Sequence, residues 1–250
     1  MALLKVLLLL LELGVSVNSA VSLQKRIIGG HDCDDTERQY HVRLMMTNGP
    51  STIMCGGSLI HPQWILTAAD CYDPETGWNN VAIFKVHPRA TEVHTHIIRQ
   101  TPVLYTGDSR KHNIILLKLQ RPVNDVPLAP LPDCSNRPKI GDTVQLAGEG
   151  ATTTGPNNRR LRTVHIPKHL QCVDMRVVQI SQSRSFGYMF RVEEPNKDAC
   201  YGESGGAVMF NGKIYGVISI DVSHFACKKP VSIMDVCEYI GWIKTTIGHK

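Results

Sequence analysis

The stretch Cys55-Gly-Gly-Ser-Leu-Ile-His-Pro-Gln-Trp-Ile-Leu-Thr-Ala-Ala-Asp-Cys71 decides how this chain is read. Residues 57–60 form a short apolar run, and two cysteines bracket the whole stretch. Similar short apolar or alternating runs recur outward from it at 40–46, 81–87, 113–119, 143–147, 173–180 and 213–220. Turn-forming residues separate them, as expected of strands. Asn211-Gly212 stands between two such runs, 207–210 and 213–220, and predicts a two-residue hairpin. A helical period appears at the end of the chain, where Val236, Ile240, Ile243 and Ile247 share one face. The pattern predicts an all-β domain, a sandwich or paired barrels, closed by a C-terminal helix.

The chain has 250 residues, 42% of them hydrophobic. That excludes a disordered or collagen-like chain and leaves enough apolar material for a sizeable core. The formal net charge of +5 is mildly basic and imposes no polyanionic partner. Residues 3–13 are almost continuously apolar, broken by Lys5 and Glu12, and are followed by the small residues Gly14, Ser16, Ser19 and Ala20. The run is too short to cross a bilayer and reads as a secretory signal peptide over 1–20. No other stretch reaches the ~18 apolar residues of a membrane span. A secreted, extracellular chain is therefore expected, where disulfides persist. Lys25-Arg26 then precedes Ile27-Ile28-Gly29-Gly30. A trypsin-like enzyme cutting after Arg26 would release a short activation propeptide, 21–26, and expose the Ile27 ammonium on a domain spanning 27–250.

Four motifs in order are similar to trypsin-like serine proteases. Ile27-Ile-Gly-Gly30 resembles their mature N-terminus, and Cys55–Cys71 their catalytic-histidine region. Asn113-Ile-Ile-Leu-Leu-Lys-Leu119 resembles the aspartate segment, and Asp198-Ala-Cys-Tyr-Gly-Glu-Ser-Gly-Gly206 the nucleophile loop. The resemblance covers essentially the whole mature chain. It implies two six-stranded Greek-key barrels packed together with a C-terminal helix, and an active site in the cleft between them.

Acyl transfer by that route needs a serine, an imidazole to take its proton and a carboxylate to orient the imidazole. The resemblance places Ser204 at the nucleophile position, Asp70 at the histidine position and Asn113 at the aspartate position. A carboxylate, with an ordinary pKa near 4, drives proton abstraction weakly at neutral pH and is shorter than an imidazole. Asn113 has no charge with which to stabilise an imidazolium. Once the base is lost its partner is free to drift. Strand alternation turns His112 away from Asn113, so it does not supply a replacement base. The expected oxyanion hole uses the backbone N–H groups of Gly202 and Ser204. Two readings follow: a non-catalytic homologue acting by binding a protein or peptide ligand, or an active serine endopeptidase using Ser204 with an atypical base.

Glu203 stands where the family has the aspartate that pairs with the new N-terminal ammonium. Arg26, Ile27 and Glu203 thus form a candidate activation latch. In the family's specificity pocket, Asp198 occupies the position that confers Lys and Arg preference, and Ser219 is retained. Asp221 and Val231 replace wall glycines, Ile220 replaces a tryptophan, and branched Val231 is expected to fill the space. An unpaired buried Asp198 would be costly, so it must be wet or neutralised. By resemblance the eight cysteines pair as Cys33–Cys172, Cys55–Cys71, Cys134–Cys237 and Cys200–Cys227. Two further family pairs are missing, one at Val144 with Phe210 and one between Arg191 and the 173–188 stretch.

Arg159, Arg160, Arg162, His165, Lys168 and His169 form a basic cluster, a candidate site for a heparin-like polyanion. No metal-binding spacing appears, and His94 with His96 supply two ligands only. No cofactor, no nucleic-acid partner and a monomer are expected.

Overall fold

Asn211 and Gly212 carry φ angles of +47° and +73°, the pair of positive values that a tight two-residue hairpin demands and that Asn-Gly tolerates. They join β12 (Ala207–Phe210) to β13 (Lys213–Ser219), with Phe210 opposite Lys213. From this hairpin the second barrel grows. A computed structural model describes residues 29–150, 157, 166–183, 187–220, 227 and 229–248, with backbone alone at 181–183. Its remaining strands here are β9 (Thr143–Gly148), β10 (Gln171–Ser183), β11 (Gly187–Glu193) and β14 (Val231–Asp235). The hydrogen-bonded order β9-β10-β11-β14-β13-β12 returns to β9, so the sheet closes as a six-stranded barrel. The two-residue β1 (His31–Asp32) adds to β10 from outside. Val144, Leu146, Val173, Met175, Phe190, Val192, Val208, Ile218, Val231 and Ile233 turn into its core. They do so at the alternate positions that a half-buried strand allows.

The first sheet contains β2 (His41–Thr47), β3 (Thr52–His61), β4 (Trp64–Thr67), β5 (Asn79–Phe84), β6 (His94–Ile97), β7 (Val103–Leu104) and β8 (Ile115–Lys118). Its order is β6-β5-β2-β3-β4-β8-β7. Seven strand segments stand where six are expected, because the pairing of β6 with β5 stops after the Ile98 N–H donates to the Asn80 carbonyl at 2.8 Å, and the chain pairs again only at Val103, with β8. β6 pairs with β5 and β7 pairs with β8, so the two pieces act as one interrupted strand at opposite ends of the sheet.

The terminal helix α1 (Val236–Ile247) begins at Asp235, whose carboxylate accepts from the Cys237 N–H at 3.0 Å. It ends at Gly248, in the left-handed conformation with φ +74°. Tyr239 takes a core position that periodicity assigned to Ile240, which is only partly buried. All four expected disulfides are present: Cys33–Cys172, Cys55–Cys71, Cys134–Cys237 and Cys200–Cys227. Beyond the Val208–Leu146 and Met209–Gln145 pairs, the register carries Phe210 toward Val144, and Arg191 sits opposite Gln179. The positions of both missing bridges are thus strand neighbours, filled by other side chains.

Candidate functional site

The loop bearing Ser204 is pressed against the first sheet. The Gly56 N–H donates to the Ser204 carbonyl at 2.7 Å. Gly205 has φ +81°, and a Cβ there would stand 2.2 Å from both the Gly56 carbonyl oxygen and Thr67 Oγ1. Only glycine fits that approach. Gly202, with φ +97°, sets the preceding turn.

Ser204 is 4% exposed. Its Oγ donates to the Ile220 carbonyl and accepts from the Ile220 N–H, both at 3.1 Å. The hydroxyl is therefore engaged with backbone as donor and as acceptor. Asp70 lies in a one-turn 3₁₀ segment, Ala69–Cys71, directly after β4. Its N–H donates to Asn113 Oδ1 at 3.1 Å, and Asn113 Nδ2 donates to Ser219 Oγ at 2.8 Å. Asn113 is thus not idle, contrary to the expectation that it is free to drift. An amide offers an acceptor on one side and a donor on the other, and here it ties both sheets together at the cleft. Ser219, expected in the specificity pocket, is the far end of this bridge.

His112 is fully buried and has both ring nitrogens engaged, Nδ1 with the Tyr239 hydroxyl at 2.7 Å and Nε2 with Asp108 at 2.8 Å. Hydrogen bonds from Arg110 and then His112 hold the Asp108 carboxyl well below the usual carboxylate range. This group packs among Tyr105, Tyr188 and Tyr239 and anchors α1.

Glu203 is completely buried, and its side chain packs against Gly148 and Gly150. Oε2 accepts from the Cys200 N–H at 2.8 Å, while Oε1 has no partner among the described residues. Burial pushes its carboxyl up to about 8, and the single Cys200 bond only partly opposes that. Between the two glycines that Glu203 packs against, Glu149 is 4% exposed and receives a two-pronged bond from Arg43: Nε at 2.8 Å to Oε2, and Nη2 to Oε1. His41 Nε2 lies 3.6 Å from Oε2, beyond hydrogen-bond length. Burial raises the Glu149 carboxyl, but Arg43 and His41 outweigh it and bring it to about 2. Sequence reasoning missed this cluster, which joins β2 of one sheet to the end of β9 in the other.

Asp198 Oδ1 lies 3.0 Å from Lys229 Nζ. Val231 and Ile220 are buried in the second barrel's core with Phe190, Ala199 and Ile218. Arg26 and Ile27, Asp221, and Arg159, Arg160, Arg162 and His165 of the basic cluster lie outside the described residues; Lys168 and His169 are described and exposed. Among the described residues no group of three or more His, Cys, Asp or Glu is placed to hold a metal. No described helix is long and apolar enough to cross a membrane.

Comparison with known proteins places these features in a family. A family model described as Trypsin matches residues 27–243. Mouse kallikrein 1-related peptidase b27 is 27% identical, over 98% of this chain and 98% of its own. Chicken trypsin I-P1 is 29% identical, over 98% of this chain and all of its own. The solved structure of neuropsin, a serine protease expressed in the limbic system of mouse brain, superposes with a TM-score of 0.68 at 23% identity. That superposition covers 87% of this chain and 98% of neuropsin, and it speaks for the fold.

Proposed function

From the premise that this chain belongs to the trypsin family of serine peptidases, as the match across residues 27–243 establishes, we propose that it is a secreted, non-catalytic member that acts by binding a protein or peptide. Residues 1–20 serve as its signal peptide and 21–26 as a propeptide removed after Arg26. The observation that carries this reading is the state of Ser204. Its hydroxyl is satisfied twice over by the Ile220 backbone. The positions that supply base and orienting acid in the family hold Asp70 and Asn113.

Attack on a peptide carbonyl would require three things. The Ser204 Oγ must leave the Ile220 carbonyl and N–H. Its proton must go to a base of adequate strength. That base must then return the proton to the departing amine. Asn113 spends its amide on the Asp70 N–H and Ser219 Oγ, and an amide cannot stabilise a developing imidazolium. His112 has both nitrogens committed elsewhere. What remains is Gly202 and the Ser204 N–H, a site able to hold a carbonyl oxygen without advancing the reaction.

Losing a triad member typically lowers turnover by ~10⁴ to 10⁶. Protein cleaved after Arg26 is expected to hydrolyse peptide-amide substrates with Lys, Arg or apolar residues before the scissile bond slower than a competent family member by at least ~10⁴-fold. Ser204→Ala should leave that residual rate unchanged. A residual rate that falls more than ~10-fold on Ser204→Ala would favour the endopeptidase reading, since only a working nucleophile is sensitive to that change.

A further inference from the structure

Two arginines reach from the first sheet to β9, and they are paired differently. Arg43 has the Glu149 carboxylate. Arg38 is 6% exposed and sits in the turn before β2, with φ +53° and its carbonyl accepting from the His41 N–H at 2.8 Å. Its side chain crosses to the second barrel, where Nη2 donates to Gln145 Oε1. Gln145 Nε2 in turn donates to Asp174 Oδ1 at 3.0 Å, so the glutamine stands between the guanidinium and that carboxylate. Arg38 Nε and Nη1 are buried and have no hydrogen-bond partner among the described residues. A buried guanidinium without a bonded counter-ion is costly, and native structures seldom leave one. Arg38 also lines a cavity of about 440 Å³ on the seam between the two sheets, within the ~300–1,000 Å³ of small-molecule sites. Tyr40, Val144, Met209 and Phe210 give it apolar walls. Val144 and Phe210 hold the positions of one missing cysteine pair, so the cavity lies where the family resemblance expects a cross-strand bridge.

We propose that this cavity binds a carboxylate carried on a compact apolar body, with Arg38 as its counter-ion. The unmet groups set the class. Both are N–H donors on a cation, so the partner they call for is an anionic acceptor. A bare inorganic anion would leave the apolar walls against water, whereas an aryl or alkyl body buries them. Glu37 and Asp174 also line the cavity. Glu37 is exposed, where solvent and salt screen its charge, and Asp174 already accepts from Gln145. The two nitrogens lie beneath the cavity wall, so a ligand reaches them only where a side chain yields. Met209 is the wall residue suited to this: it is partly exposed and unbranched, and its Sδ accepts from the Tyr40 hydroxyl at 2.9 Å. Such a carboxylate comes from a free organic acid or from the C-terminus of a peptide ending in an apolar residue. No residue of the Ser204 loop lines the cavity, so the proposal stands apart from the state of that hydroxyl.

Binding of 3-phenylpropanoate and of N-acetylphenylalanine to the full mature chain, read by calorimetry and ligand-observed NMR, tests this. Each acid is compared with its primary amide, which keeps the shape and loses the charge. At least one acid should bind with a Kd of ~1 mM or tighter, and its amide at least ~10-fold more weakly. Tighter binding of 3-phenylpropanoate marks the source as a free acid, and tighter binding of N-acetylphenylalanine marks it as a peptide C-terminus. Arg38→Met keeps the aliphatic stem and should weaken the acid by at least ~10-fold. Glu37→Gln changes an exposed side chain and removes a negative charge from the cavity, so it should tighten acid binding by about 2- to 5-fold at low salt. If Arg38→Met does not fold, the amides and Glu37→Gln carry the test. No acid binding at ~10 mM, equal binding of acid and amide, acid binding that a folded Arg38→Met leaves unchanged, or acid binding that Glu37→Gln fails to strengthen overturns the proposal.

Discussion

Glu203→Gln is expected to stabilise the uncleaved chain at pH 8, relative to wild type, by on the order of 4 kcal/mol. The carboxyl is buried, has one N–H partner, and titrates near 8 in the folded chain against 4.5 when unperturbed. The sign follows from proton binding. Between these two values the folded state holds a proton that the unfolded state releases, so wild-type stability falls as pH rises through that window. Glutamine keeps the shape and the acceptor for Cys200 and removes the titration, so the difference between variant and wild type should grow from pH 4.5 to about 8 and then level off. The same comparison examines the latch. In protein cut after Arg26, the Ile27 ammonium would give Oε1 a counter-ion and keep Glu203 ionised at neutral pH. There Glu203→Gln should cease to stabilise and instead destabilise, because it strands the ammonium. Urea unfolding across pH, with and without cleavage, measures both effects. A cleaved protein that behaves like the precursor would show that Ile27 does not reach Glu203.

Glu149→Ala should cost about 3–5 kcal/mol, the usual penalty for leaving one member of a buried ion pair without its partner. Arg43 is the member left, beside His41 and beneath the junction of the two sheets. Double replacement of Arg43 by Met and Glu149 by Leu should recover much of the loss, because apolar groups of similar volume require no pairing. The Glu149 carboxyl is depressed to about 2 in the folded chain, against 4.5 unperturbed. Its contribution is therefore fully present above pH 4.5 and fades as pH falls toward 2. A loss under about 1 kcal/mol on Glu149→Ala would mean that the cluster is solvated and behaves as a surface pair.

Local chemistry made parts of the fold legible in advance. The Asn211-Gly212 hairpin could be read because two adjacent positive φ angles suit few other residue pairs. Helix α1 followed from its apolar period, yet the period did not show that Tyr239 would go inward. Its hydroxyl meets the Tyr188 N–H at 2.9 Å and His112, partners that no local pattern reveals. The cysteine pairing came from resemblance, since eight cysteines alone allow 105 connectivities. The interruption between Ile98 and Val103 was not legible, because where pairing passes from β5 to β8 depends on sheet order.

The candidate site was legible to a different degree. Asp70, Asn113 and Ser204 could be named from motifs, but the Asn113 bridge joins the 3₁₀ turn after β4 to the end of β13, and its Ser219 partner lies 106 residues away. Glu149 is 106 residues from Arg43, and neither sits in a motif.

The most direct measurement is reaction of the Arg26-cleaved protein with a fluorophosphonate probe, followed by intact-mass analysis and peptide mapping. Labelling at phosphorus requires a serine oxygen activated by a base and an oxyanion hole able to hold the product. An Oγ engaged with the Ile220 carbonyl and N–H, without an imidazole to deprotonate it, should leave Ser204 unmodified under conditions that label a competent family member fully. Stoichiometric labelling of Ser204 would contradict the account.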